Sequence, residues 1–172
     1  MESISQKKQL NHQFKFRGPL YFSSEDARFY VNGGWLEEHV YGILFRMKQE
    51  ITSIQDLARN VNIEWDVRGS PVSNEIDVAF LADNHLFIIE CKTRNFDKAD
   101  DKNDAATEVL YKLNTLRNYL GGEETRAMVI SYRHFTEAAC RRADEFNIKV
   151  CDQSGICNIE NIFRNWIKKQ QG

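Results

Sequence analysis

The chain has 172 residues, of which 42% are hydrophobic and 28% charged, a composition typical of one globular domain and not of a disordered protein. Its formal net charge of −2 lacks the basic excess of many nucleic-acid-binding proteins, although a neutral protein can carry a basic cleft. No apolar segment approaches the roughly 20 residues that span a bilayer, and the N-terminal residues lack an apolar signal region. We therefore expect a cytoplasmic protein with no membrane partner.

The four cysteines, Cys91, Cys140, Cys151 and Cys157, form no Cys-x-x-Cys pair. Thiols in the cytoplasm usually stay reduced, so we interpret these side chains as small apolar groups. The alternative is a zinc site that combines His134 with Cys140, Cys151 and Cys157. The spacings of those four residues match no standard zinc-ligand pattern.

The first elements in chain order are a polar segment, Met1 to about Gln13, and an aromatic-rich segment, Phe14 to Val31. We expect the second segment to form short strands or a packed arm. After Asn32-Gly33-Gly34, apolar residues recur at helical spacing and predict a helix over Trp35–Gln49. A further amphipathic piece is predicted over Ile54–Val61.

Three strands and then alternating helices and strands follow. Apolar and β-branched residues predict strands over Asn62–Val67, Glu75–Leu81 and Leu86–Cys91. The later predicted elements are a helix over Ala99–Leu120 that ends at Gly121-Gly122, a strand over Ala127–Ser131, a helix over Thr136–Phe146, a strand over Ile148–Cys151 and a helix over Asn158–Lys168. Strand–helix–strand passages need crossovers, which predicts an α/β fold with a mixed β-sheet flanked by helices. We expect an N-terminal arm over residues 1–31 and one domain over residues 32–172.

Charged residues interrupt the most apolar part of the chain, NEIDVAFLADNHLFIIECKT, residues 74–93. A two-residue turn at Asp83-Asn84 would place Asp77 directly opposite Glu90, and Glu75 opposite Lys92. Because side chains alternate along a strand, these four charged groups should share one face of the hairpin. The other face should be the core face and should carry Ile76, Val78, Phe80, Phe87, Ile89 and Cys91.

Two carboxylates on directly opposed residues, with Cβ atoms about 5 Å apart, repel each other unless a cation or a proton lies between them. Their oxygens suit Mg²⁺ or Mn²⁺, which favours a metal site at Asp77 and Glu90. Lys92 would then orient water or stabilise developing negative charge. The alternative is an exposed sheet face that carries an ordinary ion pair.

The first predicted helix carries two adjacent glutamates. At 100° per residue, Glu38 falls on the solvent side, whereas Glu37 falls on the border of the apolar stripe beside Val40 and Leu44. Glu37 could therefore point into a cleft. The alternative is an ordinary N-terminal acid that the helix dipole favours.

A glutamate on an opening helix, an aspartate on one strand and Glu-x-Lys on the next together resemble the PD-(D/E)XK nuclease superfamily. Ile76 stands where the superfamily's name has a proline. More narrowly, the chain resembles the nuclease domain of the CRISPR ancillary nucleases that pair a CARF sensor domain with this fold. The segments that carry the resemblance are NGGWLEEHVY (residues 32–41), NEIDV (74–78), LFIIECKT (86–93) and YKLNTLRNYLGG (111–122).

The resemblance implies a restriction-endonuclease-like core in the order α-β-β-β-α-β. It also implies a metal-dependent endonuclease that hydrolyses phosphodiester bonds of DNA or RNA with Mg²⁺ or Mn²⁺, in CRISPR-associated antiviral defence. By this resemblance Glu37, Asp77, Glu90 and the backbone carbonyl of Cys91 bind metal, and Lys92 is the catalytic lysine.

Further expectations concern substrate, partners and regulation. Glu75 could assist a second metal, and Arg94 is the first candidate phosphate contact, ahead of Lys98, Lys102, Lys112 and Arg133. Trp35 and Tyr111 could stack on bases or pack in the core. The resemblance implies a homodimer. The sequence contains no sensor domain, so we expect a free-standing nuclease, a fragment, or control by a separate sensor protein. The alternative function is a catalytically inactive nucleic-acid-binding or scaffold protein.

Overall fold

Five strands lie side by side in chain order in the computed structural model, which describes residues 21, 23–94 and 105–168. The strands are β1 (Ile54–Val67), β2 (Ser70–Ala82), β3 (His85–Lys92), β4 (Thr125–Ser131) and β5 (Ile148–Cys151). The helices are α1 (Glu25–Phe29), α2 (Trp35–Glu50), α3 (Ala105–Leu120), α4 (Glu137–Glu145) and α5 (Ile159–Lys168). Strands β1 to β3 pair antiparallel, and β3, β4 and β5 pair parallel. The predicted mixed sheet and the α-β-β-β-α-β order of α2 to β4 are therefore confirmed.

Both faces of the sheet are covered by helices. One face packs against α2 and α5, and its sheet residues include Val78, Phe87 and Ile89. The other face packs against α3 and α4, and its sheet residues include Ile88 and Val129. Because β3 and β4 are buried on both faces, they are almost continuously apolar. None of the helices described is long and apolar enough to cross a membrane.

The hairpin turn between β2 and β3 lies where the sequence predicts it. Asp83 and Asn84 have positive φ values of 49° and 62°, a conformation that Asp and Asn tolerate better than other non-glycine residues. The turn sets the pairing of Val78 with Ile89 and of Phe80 with Phe87, which confirms the predicted register near the turn. The pairing ends at Val78, so the predicted pairs Asp77–Glu90 and Glu75–Lys92 are not part of the ladder. Phe80 and Phe87 stack at 4.5 Å between ring centroids and add to the core beneath the hairpin.

One residue of the predicted core face of this hairpin lies on the other side. Ile76 is buried with Ala79 and Ile88 against α3, not with Val78 against α2. Strand alternation is interrupted between Ile76 and Val78, beside Asn60 of β1, which has a φ of 52°. The expectation that Ile76 shares a face with Val78 is therefore wrong.

The amphipathic piece predicted over Ile54–Val61 is the first half of β1 and is not helical. Its apolar residues follow a nearly helical spacing because β1 is an edge strand that buries few side chains. Pairing with β2, such as Leu57 with Phe80, overrides that local pattern.

The N-terminal arm is described only from residue 21, with the exception of residue 22. Its Glu25–Phe29 part forms α1, so the alternative of a strand there is wrong, whereas residues 14–20 lie outside the described part. The predicted start of the long helix, residues 99–104, also lies outside it. The described helix α3 ends at Leu120, where Gly121 and Gly122 both have positive φ.

Candidate active site

Asp77 and Glu90 are buried on neighbouring strands, with 7% and 2% of their surface exposed. The Lys92 ammonium reaches both carboxylates, because its Nζ lies 2.6 Å from Glu90 Oε1 and 3.9 Å from Asp77 Oδ2. The backbone N–H of Cys91 donates a hydrogen bond of 2.6 Å to Asp77 Oδ2. These burials exclude a solvated sheet face. The end of the hairpin instead holds two acids and one base in a place where unpaired charges are costly.

Helix α2 brings Glu37 to the same place. Glu37 is half-buried and lines a cavity of about 210 Å³ together with Cys91, Lys92 and Arg94. Glu38, the next residue, is exposed and forms an ion pair with Arg59. The acid on the border of the apolar stripe therefore faces the carboxylates, and its neighbour faces solvent, as the helical spacing predicts.

Two glycines allow close packing at the start of α2, Gly33 beside Thr93 after β3 and Gly34 beside Phe29 of α1. Gly33 has a φ of 126°, and a Cβ placed on it would lie 2.5 Å from the Thr93 hydroxyl oxygen. A Cβ on Gly34 would overlap the Phe29 ring. Gly33 needs glycine both for its φ and for its close approach to Thr93, so a larger residue there would strain the junction between β3 and α2, the helix that carries Glu37.

The electrostatics of the cluster show an excess of negative charge. Burial, reinforced by Asp77 and opposed by Lys92, raises the pKa of Glu37 to about 7. Burial, reinforced by Glu90 and opposed by Lys92, raises the pKa of Asp77 to about 6. Burial alone would lower the pKa of Lys92, but Glu90 and Asp77 together raise it above its ordinary value. The carboxylates thus favour an added positive charge, either a proton or a bound cation.

Helix α3 contributes a residue whose role the sequence does not reveal. Lys112 Nζ donates to both oxygens of Glu90, at 3.0 and 3.1 Å, and to the backbone carbonyl of Glu75 at 3.0 Å. The sequence indicates Lys112 only as one of the candidate phosphate contacts. The sequence does indicate that Lys112 lies beside the buried face of α3, because it follows Val109 by three residues and precedes Leu116 by four.

The donor set fits a small divalent cation. Within the described part of the chain, no three His, Cys, Asp or Glu side chains are grouped so that they could hold an ion together. Lys92 and Lys112 both contact Oε1 of Glu90. Asp77 and Glu90 still approach one common ammonium group. Mg²⁺ commonly binds through one or two carboxylates and keeps several waters, so this pair is sufficient in number and type.

The predicted substrate residues flank this cluster. Arg94 lines the cavity beside α2 and also a cavity of about 460 Å³ beside α3, and it donates to the carbonyl of Ala105 at 3.2 Å. The Glu75 side chain is exposed, and its charge contributes to the raised pKa of Glu37. Both residues therefore lie near the carboxylates. Lys98 and Lys102 lie outside the described residues.

The remaining candidates lie at the margin of the site or away from it. Arg133 lies over the Tyr132 ring at 5.5 Å, and the Trp35 ring packs edge-on against Tyr132 with 5.2 Å between centroids. The backbone N–H of Tyr132 donates to the Lys92 carbonyl, which places this group beside the end of β3. Tyr111 is half-exposed, and its hydroxyl accepts a hydrogen bond from Arg142.

The zinc alternative has no support in the described residues. The cysteines are free, and none of them groups with His134 as a metal centre. His134 instead contacts Asp152, with 3.0 Å between Nδ1 and Oδ2. Cys91 and Cys151 are buried, in keeping with their interpretation as apolar side chains.

Comparison with known proteins places this geometry in a family. Protein VC1899 from Vibrio cholerae is 33% identical over 86% of this chain and 37% of its own, with a TM-score of 0.76. Can2 from Sulfobacillus thermosulfidooxidans, solved with cyclic tetra-adenylate, is 36% identical over 85% of this chain and 39% of its own, with a TM-score of 0.71. The chain thus spans less than two fifths of either protein. A protein of unknown function, AF1548, shares the fold at 21% identity, over 69% of this chain and 59% of its own, with a TM-score of 0.50.

No curated protein matches the chain at a significant level. Residues 24–170, which include all the residues of the cluster, match the family described as "Card1-like, endonuclease domain". The chain therefore belongs to the Card1-like endonuclease domain family.

Proposed function

We propose that this chain is a divalent-metal-dependent endonuclease that hydrolyses phosphodiester bonds in DNA or RNA. The observation that carries the proposal is that one lysine, Lys92, contacts two buried carboxylates, Asp77 and Glu90, at the end of a hairpin. Glu37 faces the same cluster from α2. Membership of an endonuclease family supports the proposal.

Asp77, Glu90 and the carbonyl of Cys91 would hold Mg²⁺ or Mn²⁺, and Glu37 would complete the site or hold a second ion. When bound, such an ion supplies acidification of a water molecule and stabilisation of charge on the phosphate. Glu75 would assist a second ion, since its charge already acts on Glu37. The cation would also offset the burial and the carboxylate repulsion that raise the pKa values of Glu37 and Asp77.

Lys92 would act on the reacting phosphate. The neighbouring carboxylates keep it charged, and it lines the cavities on both sides of the β3 end. Its ammonium would orient the attacking water or offset the negative charge that develops as that water's oxygen bonds to phosphorus. One phosphorus–oxygen ester bond then breaks, and the departing oxygen takes up a proton. Arg94, which lines the same two cavities, would contact a flanking phosphate.

We further propose that the chain acts in the cytoplasm, as a homodimer, in CRISPR-associated antiviral defence. Can2 was solved with cyclic tetra-adenylate, and the present chain covers only 39% of that protein. Control of the present chain by such a ligand would have to come through a separate sensor protein or domain. Light scattering at micromolar concentration tests the dimer, and a monomer there would contradict it.

A second candidate function is a nucleic-acid-binding or scaffold protein without catalysis. The observation that favours it is that two lysines already take the oxygens of Glu90. Purified protein incubated with single- and double-stranded DNA and RNA in Mg²⁺, Mn²⁺ or EDTA distinguishes the two functions. Cleavage that needs the metal and is lost in Glu90→Ala supports the nuclease. Binding without cleavage under every condition supports the second function.

A further inference from the structure

Lys112 uses its whole hydrogen-bonding capacity on the site. An ammonium group has three donors, and those of Lys112 meet the two oxygens of Glu90 and the carbonyl of Glu75. The Lys112 side chain is one-third exposed, whereas that of Glu90 is only 2% exposed. Lys112 therefore covers Glu90 on the side that faces solvent.

This arrangement leaves Glu90 little capacity for another cation. A carboxylate offers about four lone-pair sites. Lys112 takes one on each oxygen, and Lys92 takes a second one on Oε1 at 2.6 Å. A divalent ion bound to Glu90 would also lie near two ammonium groups, and like charges at that distance repel strongly.

Lys112 can move away from Glu90 more easily than Lys92 can. Lys92 is carried by the same strand as Glu90 and also contacts Asp77. Lys112 comes from helix α3, at the wall of the 460 Å³ cavity that Glu90, Arg94 and Glu108 also line. Glu108 is exposed and lies four residues earlier on α3, which is the spacing at which a glutamate and a following lysine pair on a helix surface.

We infer that Lys112 is an internal cation that occupies Glu90 in the metal-free protein and moves to Glu108 when a divalent ion binds. This inference rests on the proposed metal dependence. In this role Lys112 is a positioning residue, because it acts through Glu90. It holds the buried carboxylate in place without metal and competes with the ion for the same oxygens.

The test measures Mn²⁺ binding by calorimetry and melting temperature in EDTA, with the whole chain and no nucleic acid. Lys112→Met keeps the side-chain length but removes the charge. It should tighten Mn²⁺ binding by about tenfold or more, since hydrogen bonds to charged groups are the strong ones. It should also lower the metal-free melting temperature, because Glu90 loses a partner. Lys48→Met, which removes a lysine whose partner is the exposed Asp56, should leave Mn²⁺ affinity unchanged.

Glu108→Gln tests the second position of Lys112. It should weaken Mn²⁺ binding several-fold in the otherwise unchanged protein and have no effect when combined with Lys112→Met. Unchanged or weaker Mn²⁺ binding in Lys112→Met would overturn the inference while leaving metal dependence intact. If neither the unaltered protein nor Lys112→Met binds Mn²⁺, the proposed function is contradicted as well. If Glu108→Gln has equal effects in the unaltered protein and in Lys112→Met, Lys112 does not move from Glu90 to Glu108.

Discussion

Lys92 Nζ lies 2.6 Å from Glu90 Oε1, two residues away on the same strand. This contact pairs the candidate catalytic lysine with a candidate metal ligand. Such a pair on one strand is possible because residues two apart share a face. The Asp77 carboxylate completes the group from β2 at 3.9 Å. This group of charges should affect stability, metal binding and chemistry in different ways.

Removing Glu90 should destabilise the protein without metal. Lys92 and Lys112 both lose their main acidic partner in Glu90→Gln, and the Lys92 side chain is only 25% exposed. We expect a lower melting temperature in EDTA and a much smaller gain on adding Mn²⁺ than for the unaltered protein. Differential scanning calorimetry measures both. An unchanged melting temperature in EDTA would show that the lysines find other partners at no cost.

Lys92→Met should separate metal binding from chemistry. The carboxylates remain, so the melting temperature should still rise on adding Mn²⁺. Loss of a charge that stabilises the transition state typically lowers turnover by about 10² to 10³-fold. Parallel thermal-shift and cleavage measurements check this pattern. The same loss of thermal response as in Glu90→Gln would mean that Lys92 acts only by holding the acids in place.

Glu37 should make the metal-free protein less stable as pH rises. Its pKa is about 7 in the folded protein and near 4.5 when unfolded, so the folded state binds more protons between these values. This contribution to the free energy of unfolding is fully present below pH 4.5 and is lost as the pH passes about 7. Asp77, with a pKa near 6, acts in the same direction.

Urea unfolding in EDTA from pH 4.5 to 8 measures this dependence. Glu37→Gln should flatten it and should be more stable than the unaltered protein at pH 8. Glu38→Gln is the matched control, because Glu38 is exposed and pairs with Arg59 away from the cluster. Equal slopes for Glu37→Gln and the unaltered protein would show that Glu37 is not protonated in the folded state.

Gly33→Ala should disturb the site through α2. The added Cβ would lie 2.5 Å from the Thr93 hydroxyl oxygen, and the φ of 126° is unfavourable for alanine. We expect a loss of about 1–3 kcal/mol of stability from the backbone alone, with a further loss from the clash. Chemical unfolding and Mn²⁺ titration measure the two effects.

Gly69→Ala provides the control for Gly33→Ala, since Gly69 also has a positive φ, 82°, but no atom lies within 4 Å of its added Cβ. Gly69→Ala should lose stability without any change in Mn²⁺ affinity. The same Mn²⁺ affinity in both variants would show that the contact of Gly33 with Thr93 does not position Glu37.

Much of the fold can be predicted from the sequence where local and tertiary preferences agree. The α2 helix has an apolar stripe that also faces the sheet, and β3 is apolar on both faces because both are covered. In the edge strand β1, local and tertiary preferences disagree. Its Ile54 to Val61 half has a helix-like pattern, and only pairing with β2 decides its conformation.

The charged hairpin was predictable for a geometric reason. A two-residue turn at Asp83-Asn84 fixes the register as far as Val78 and Ile89, and the neighbouring residues Asp77 and Glu90 both contact Lys92 just beyond that pair. Lys112 was not predictable in the same way, because its partner Glu90 lies 22 residues earlier and belongs to another element. A lysine within a helix has the same local pattern whether it faces solvent or a buried acid.

The most direct test of the central claim is cleavage of labelled DNA and RNA by the unaltered protein and by Asp77→Asn, each with Mn²⁺ or EDTA. Asp77→Asn keeps the size of the side chain but removes the charge that approaches Lys92. We predict that the unaltered protein cleaves in Mn²⁺ and that EDTA abolishes this cleavage. We also predict that Asp77→Asn does not cleave, although it still unfolds cooperatively. Cleavage that persists in EDTA, or that Asp77→Asn carries out at the unaltered rate, would contradict a metal-dependent site at this hairpin.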